Sequence, residues 1–178
     1  MMNSYTIGLL TGVAVGLLVL VVIKLRNRGK FATVAEKAEY LSKRRARILP
    51  ILAVIFLSQQ ASFFSQMSGG EHVTAEKAKI SAWLVLSVLM LFGLATKGFW
   101  LERKEVRDLI DDENTRANRN EAMRWGFLFA MGSAIAIYVL TMFENVTGRE
   151  AVHIVLSFGI AAALLRWGVL ERRAHRDG

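Results

Sequence analysis

The chain contains no cysteine and a single proline, Pro50. Without thiols, neither a disulfide framework nor a thiolate metal site can form. Acidic residues are missing from five long stretches, 5–23, 48–67, 80–96, 125–143 and 151–165, which carry no charge of either sign. That absence excludes the paired intramembrane carboxylates on which proton-coupled transport or intramembrane hydrolysis commonly depends. Also missing are a phosphate-cradling glycine loop and a nucleophile placed beside a base. These gaps argue against an enzyme, and no cofactor or metal is expected.

What is abundant is apolar sequence. Hydrophobic residues make up 53% of the 178, and a bilayer-spanning helix needs roughly 20 mostly apolar residues. Four of the uncharged stretches reach or approach that length. The fifth does so if Arg166 snorkels, its stem apolar and its guanidinium at the headgroups. The reading is an all-α membrane protein of five transmembrane helices.

The formal charge of +8 is informative through its placement. Nine bases lie between the first and second stretches, from Lys24 to Arg47, including Lys43, Arg44, Arg45 and Arg47. Arg103, Lys104, Arg107, Arg116, Arg119 and Arg124 separate the third from the fourth, and Arg172, Arg173 and Arg176 follow the fifth. The other side holds only Lys77, Lys79 and Arg149. By the positive-inside rule the amino terminus is outside and the carboxyl terminus cytoplasmic, as an odd number of spans requires. The first stretch has its bases after the apolar run, unlike a secretory leader, and reads as an uncleaved helix. A bacterial inner membrane is the expected location.

Five segments follow: 1–30, a helix with a basic flank; 31–47, a juxtamembrane helix; 48–104, a first hairpin; 105–124, a polar link; and 125–178, a second hairpin with a basic tail. The hairpins end alike, in Leu101-Glu102-Arg103-Lys104 and Leu170-Glu171-Arg172-Arg173, and their last helices open with Val73-Thr74 and Val146-Thr147. This internal repeat suggests a four-helix bundle of two pseudo-repeated hairpins, with the first helix packed outside it. Both glutamates and the adjoining bases read as anchors at the headgroup boundary.

Local signals set helix ends. Thr33 and Glu36 fit a capping box, as do Thr147 and Glu150. Phe31, Val34, Ala38 and Leu41 recur at helical spacing, predicting a weakly amphipathic helix at the membrane surface. Pro50 marks either a helix start or a kink where that helix enters the bilayer. The acid-then-base order of 108–124 predicts a helix beginning near Asp111 or Asp112 and running into the fourth span.

Several constellations could carry function. Gly8, Gly12 and Gly16 form a stripe suited to helix association, within the chain or between copies. Gly126, Ala130 and Ala134 repeat that spacing and read as intramolecular packing. Ser58, Gln59, Ser62, Ser65 and Gln66 share one side of the second span, lining a pore or hydrogen-bonding to neighbouring helices. His153 and Ser157 share a face of the fifth, and Glu150 stands in Glu-x-x-His spacing to His153. That spacing occurs once, whereas a di-iron bundle needs it twice. Lys43, Arg44, Arg45, Arg47, Arg103, Lys104, Arg172 and Arg173 read as contacts to anionic lipid headgroups or a protein partner, with no direct role for nucleic acid.

The segment Asp112-Glu113-Asn114-Thr115-Arg116-Ala117-Asn118-Arg119, continuing through Ala122 and Arg124 into Gly126, resembles one found in small uncharacterised bacterial inner-membrane proteins with paired hairpins. Some of those are associated with helix-turn-helix regulators, so the resemblance implies a membrane-bound partner or modulator. It carries no catalytic residues. The leading expectation is a non-enzymatic integral membrane protein acting by helix association, as a homo-oligomer or with a cytoplasmic protein or anionic lipid. The alternative is a small oligomeric channel or transporter lined by the polar face of the second span.

Overall fold

A computed structural model describes residues 31–66, 73–96 and 102–176, and among these every regular element is a helix. The order is α1 (Val34–Gln66), α2 (Val73–Ala95), α3 (Lys104–Ile110), α4 (Glu113–Leu140) and α5 (Gly148–Arg176). Gly8, Gly12 and Gly16, with the whole expected first span, lie outside the described residues.

By length and composition two of these helices, α4 and α5, are apolar enough to cross a membrane. The expected five are therefore met only in part. The apolar run of α2, Ile80–Ala95, is shorter, and α1 interrupts its apolar half with Pro50 and the Ser58-Gln59-Gln60 run.

The helix ends follow from their capping residues. Glu36 donates its backbone N–H to Thr33 Oγ1 at 3.1 Å, and the Glu36 carboxylate accepts from the Ala32 N–H at 3.0 Å. Asp112 caps α4, its Oδ1 accepting from the Thr115 N–H at 2.7 Å. Before α5, Glu150 accepts from the Thr147 N–H at 2.7 Å, and the Glu150 N–H donates back to Thr147 Oγ1 at 3.3 Å. The two bonds from Thr147, backbone first and hydroxyl second, hold the Glu150 carboxyl below its ordinary pKa of 4.5.

The basic juxtamembrane segment and the second apolar stretch form one helix. α1 runs unbroken through position 47, and Pro50 sits inside it rather than at its start. The spacing seen at Ala38 and Leu41 continues by threes and fours through Arg45, Leu49, Ala53, Phe56 and Gln60, all buried. Near its amino end, Ala38 and Leu41 pack with Val106 and Ile110 of α3. That short helix occupies a stretch read as a polar link, and it covers what would otherwise be an exposed apolar face.

α5 is the centre of the fold. It packs along α1 and α4 and touches α2 over a shorter stretch. Its inward residues, including Ile160, Ala161, Leu164 and Trp167, join Leu49, Ala53 and Phe56 of α1 in the main core. α4 instead presents most of its apolar side chains outward, among them Phe127, Leu128, Ile135 and Tyr138.

Small residues let these helices approach. A Cβ on Gly126 would lie 2.8 Å from both the Ala163 Cβ and the Gly159 carbonyl, and one on Gly159 would meet the Ala130 Cβ at 2.9 Å. Gly126 and Ala130 thus serve intramolecular packing, as their spacing suggested. A Cβ on Gly168 would be 2.6 Å from Cγ and Cδ of Pro50, a rigid ring that cannot swing aside.

Gly168→Ala should therefore destabilise the chain by about 1–3 kcal/mol, the usual cost of overpacking, despite the better helix propensity of alanine. Gly132 has nothing within 4 Å of an added Cβ, so Gly132→Ala should be neutral or stabilising. Thermal unfolding of both variants in the same detergent checks this. Equal midpoints would remove the close approach of Pro50 to Gly168.

Candidate functional site

Two layers of buried polar groups lie along the seam between α1 and α5. The layer at the basic end centres on Arg45 and Glu171, with side-chain exposures of 6% and 3%. Arg45 Nη2 donates to Glu171 Oε2 at 2.6 Å and to Thr115 Oγ1 at 3.2 Å. Trp167 Nε1 donates to the other oxygen, Glu171 Oε1, at 3.1 Å, and the Arg45 guanidinium stands 5.1 Å from the Trp167 ring centre. The ion pair thus draws on α1, α4 and α5 together, with both carboxylate oxygens occupied.

Around this layer several further polar and charged groups are also paired. Arg172 donates through Nε to the Ala46 carbonyl at 3.1 Å, and Ser42 shares a hydrogen bond with His175 at 3.1 Å. Lys37 pairs with Glu102. Both glutamates of the twin Leu-Glu-Arg endings therefore bind bases on α1, one half-exposed and one buried. Asp111 is buried and pairs with Arg116 at 2.9 Å and Arg119 at 3.5 Å. Arg166, expected to snorkel, meets Glu121 of α4 at 3.2 Å and lies over Trp125 at 5.5 Å. Hydrogen bonds from Trp125 and then Arg166 keep the Glu121 carboxyl below its ordinary pKa.

The second layer lies near the other end of α5. Ser157 Oγ donates to Gln60 Oε1 at 2.6 Å, and His153 stacks on Trp83 with ring centres 3.8 Å apart. Trp83 in turn stacks on Phe56 at 6.2 Å, tying α2 to α1 and α5. Gln60 Nε2 and Trp83 Nε1 have no hydrogen-bond partner among the described residues. The hydroxyl proton of Ser157 is directed at Gln60, so Ser157 and His153 do not form a nucleophile and base. Glu150 caps α5 while His153 packs inward, so the Glu-x-x-His spacing does not make a joint site. Among the described residues no three His, Asp or Glu side chains come together as a metal site would require.

Of the sequence-predicted residues, His153 and Ser157 are brought together with Gln60, which the sequence reading passed over in favour of its neighbours. Ser58 and Gln59 are exposed, and the Ser58 hydroxyl donates to the Val54 carbonyl of its own helix at 2.8 Å. The backbones of Ser62, Ser65 and Gln66 continue α1; their side chains lie outside what the structure describes. Arg45, expected beside lipid, is instead turned inward, because Glu171 offers it a matched carboxylate. Lys43 is exposed and pairs with Glu39 at 2.6 Å. Arg47, Arg103, Lys104, Arg172 and Arg173 are exposed, and Arg44 is half-buried. An apolar recess of about 260 Å³ between α4 and α5, lined by Ala134, Ile137, Ala151, Val152, Val155 and Leu156, contains no converging polar groups.

Compared with protein families, with curated proteins and with solved structures, the chain finds no match.

The buried pair is best tested by a double-mutant cycle. Removing one partner strands the other charge in the interior, so Glu171→Gln should cost about 3–5 kcal/mol. Arg45→Met should cost a comparable amount, while Arg45→Met with Glu171→Leu should recover much of the loss. Additive losses in denaturant unfolding would contradict the pairing.

Proposed function

We propose that the chain is a non-enzymatic, multi-spanning membrane protein that works through helix association and through cytoplasmic contact with a protein partner or anionic lipid. The observation that carries this reading is the outer face of α4. Phe127, Leu128, Ile135, Tyr138 and Val139 are all 48% or more exposed on a helix long and apolar enough to span a bilayer. Monomeric soluble proteins rarely expose continuous apolar surface on that scale. In lipid such a face is at home.

In this reading there are five spans, with the amino terminus outside and the carboxyl terminus in the cytoplasm of a bacterial cell. Bases concentrated before α1 and in its first half, around α3 and after Leu170 support that orientation. At 33 residues, α1 is about 50 Å long, so its amino-terminal half would extend beyond a hydrocarbon core of about 30 Å. It would stand with α3 as a cytoplasmic platform instead of lying flat on the membrane. The Asp112–Arg119 segment caps α4 at this platform, and its resemblance to regulator-associated membrane proteins favours a protein partner there. Gly8, Gly12 and Gly16 would supply the association face.

A second reading, a small oligomeric channel or transporter, draws on Ser58 and Gln59. Both are exposed on α1 between apolar neighbours, where contact with lipid is costly. A second copy of the chain would relieve that cost. Gln59→Leu with Ser62→Leu should abolish flux into vesicles under this reading and leave association intact under the first.

The topology has a direct check. A fluorescent protein fused after Gly178 should be bright, and alkaline phosphatase fused there should be inactive, with the chain resisting alkaline carbonate extraction. An active phosphatase would overturn the orientation. Release by carbonate would overturn membrane integration.

A further inference from the structure

The end of α5 carries an outward-facing stripe that lies apart from the buried pair. Phe158, Leu165 and Val169 are exposed at 45%, 37% and 39%, and at 100° per residue they share one side of the helix. Arg172, Arg173 and Arg176 continue that side, all exposed. Val169 and the three arginines enclose a groove of about 200 Å³, room for six or seven waters at roughly 30 Å³ each. Among the described residues Arg173 forms no ion pair, and Arg172 donates through its Nε to the Ala46 carbonyl.

Two simpler explanations cover part of this arrangement. Cations in a last turn complement the helix dipole, and bases after a span set topology. Neither requires arginine in particular, nor a groove, nor an apolar stripe leading into it. Arginine's planar fork matches phosphate oxygens bidentately. An exposed apolar run ending in such forks fits an amphiphile better than a soluble anion.

We propose that this groove binds the phosphate headgroup of an anionic phospholipid, with its acyl chain lying along Val169, Leu165 and Phe158. The proposal rests on the membrane reading above and deepens it by locating the lipid. Arg173 and Arg176 would hold the phosphate from the helix end. Arg172, fixed by its bond to Ala46, would connect the bound lipid to α1.

The test uses the full chain purified in mild detergent with dioleoylphosphatidylglycerol or dioleoylphosphatidylcholine added, retained lipid being counted by native mass spectrometry. The wild type should retain phosphatidylglycerol selectively. Arg173→Gln with Arg176→Gln leaves the Arg172 contact intact and should lower that retention by roughly ten- to thirty-fold, since each arginine at an anionic surface is worth about a factor of five. Arg107→Gln with Arg124→Gln, which removes the same charge away from the groove, should leave it unchanged. The site is refuted if the first pair retains phosphatidylglycerol like the wild type, or if both pairs lose it equally. Displacement of the lipid by millimolar inorganic phosphate would identify a soluble-anion site and overturn the lipid assignment. Resistance to carbonate extraction separates the two levels: a chain that integrates but retains no anionic lipid removes this proposal alone, whereas one that carbonate strips away removes both.

Discussion

The buried ion pair between Arg45 and Glu171 is the constraint around which the described helices are arranged. An arginine and a carboxylate this far from solvent lose their hydration, and their attraction offsets the loss only with close geometry and additional hydrogen bonds. Here Thr115 shares the guanidinium and the Trp167 indole takes the second carboxylate oxygen. Those partners come from α1, α4 and α5. Satisfying one pair therefore fixes three helices at a common height. The antiparallel register of α1 on α5 follows: Ser42 meets His175, Pro50 meets Gly168, and Gln60 meets Ser157.

On the membrane reading proposed above, that register matters because helices in lipid gain little from hiding apolar surface from one another. What remains is close packing and polar contact. Gly126, Gly159 and Gly168 allow the close packing, and the two polar layers supply the contact. The hairpin α4–α5 is held by glycine and alanine, whereas α1–α5 is pinned by charge at one end and by the serine–glutamine bond at the other. α5 is consequently enclosed while α4 faces outward. The twin endings share a chemistry, since each glutamate binds a base on α1, but differ in depth: Glu102 is half-exposed and Glu171 is buried. Charges left over from these pairings gather at the same end, where a membrane surface or an acidic partner would meet them.

Features decided locally were legible in the sequence. The caps at Thr33, Asp112 and Thr147 need only neighbours three residues away, and the Ala38–Leu41 spacing needs only helical periodicity. The close approach at Gly126 and Ala130 also followed from spacing. Features decided by distant partners were not legible. Nothing in the run Lys43-Arg44-Arg45-Ala46-Arg47 marks Arg45 as the inward base until Glu171 is placed opposite it. Extending the Ala38–Leu41 stripe by threes and fours would have reached both Arg45 and Gln60. The side of the helix shared by the most polar residues is instead that of Ser58 and Gln59, which are exposed. The stacking of His153 on Trp83 had no sequence signal, because the two residues lie on different helices seventy positions apart. α3 was hidden by its polar composition, its two buried residues, Val106 and Ile110, being too few to show a period.

The register of α1 on α5 can be measured directly because the chain has no cysteine of its own. Gln60→Cys with Ser157→Cys should form an intramolecular disulfide under mild oxidation in membranes. Gln60→Cys with Leu164→Cys, displaced by two helical turns, should not. A crosslink at the displaced pair, or disulfides that join only separate copies, would contradict the arrangement built on Arg45 and Glu171.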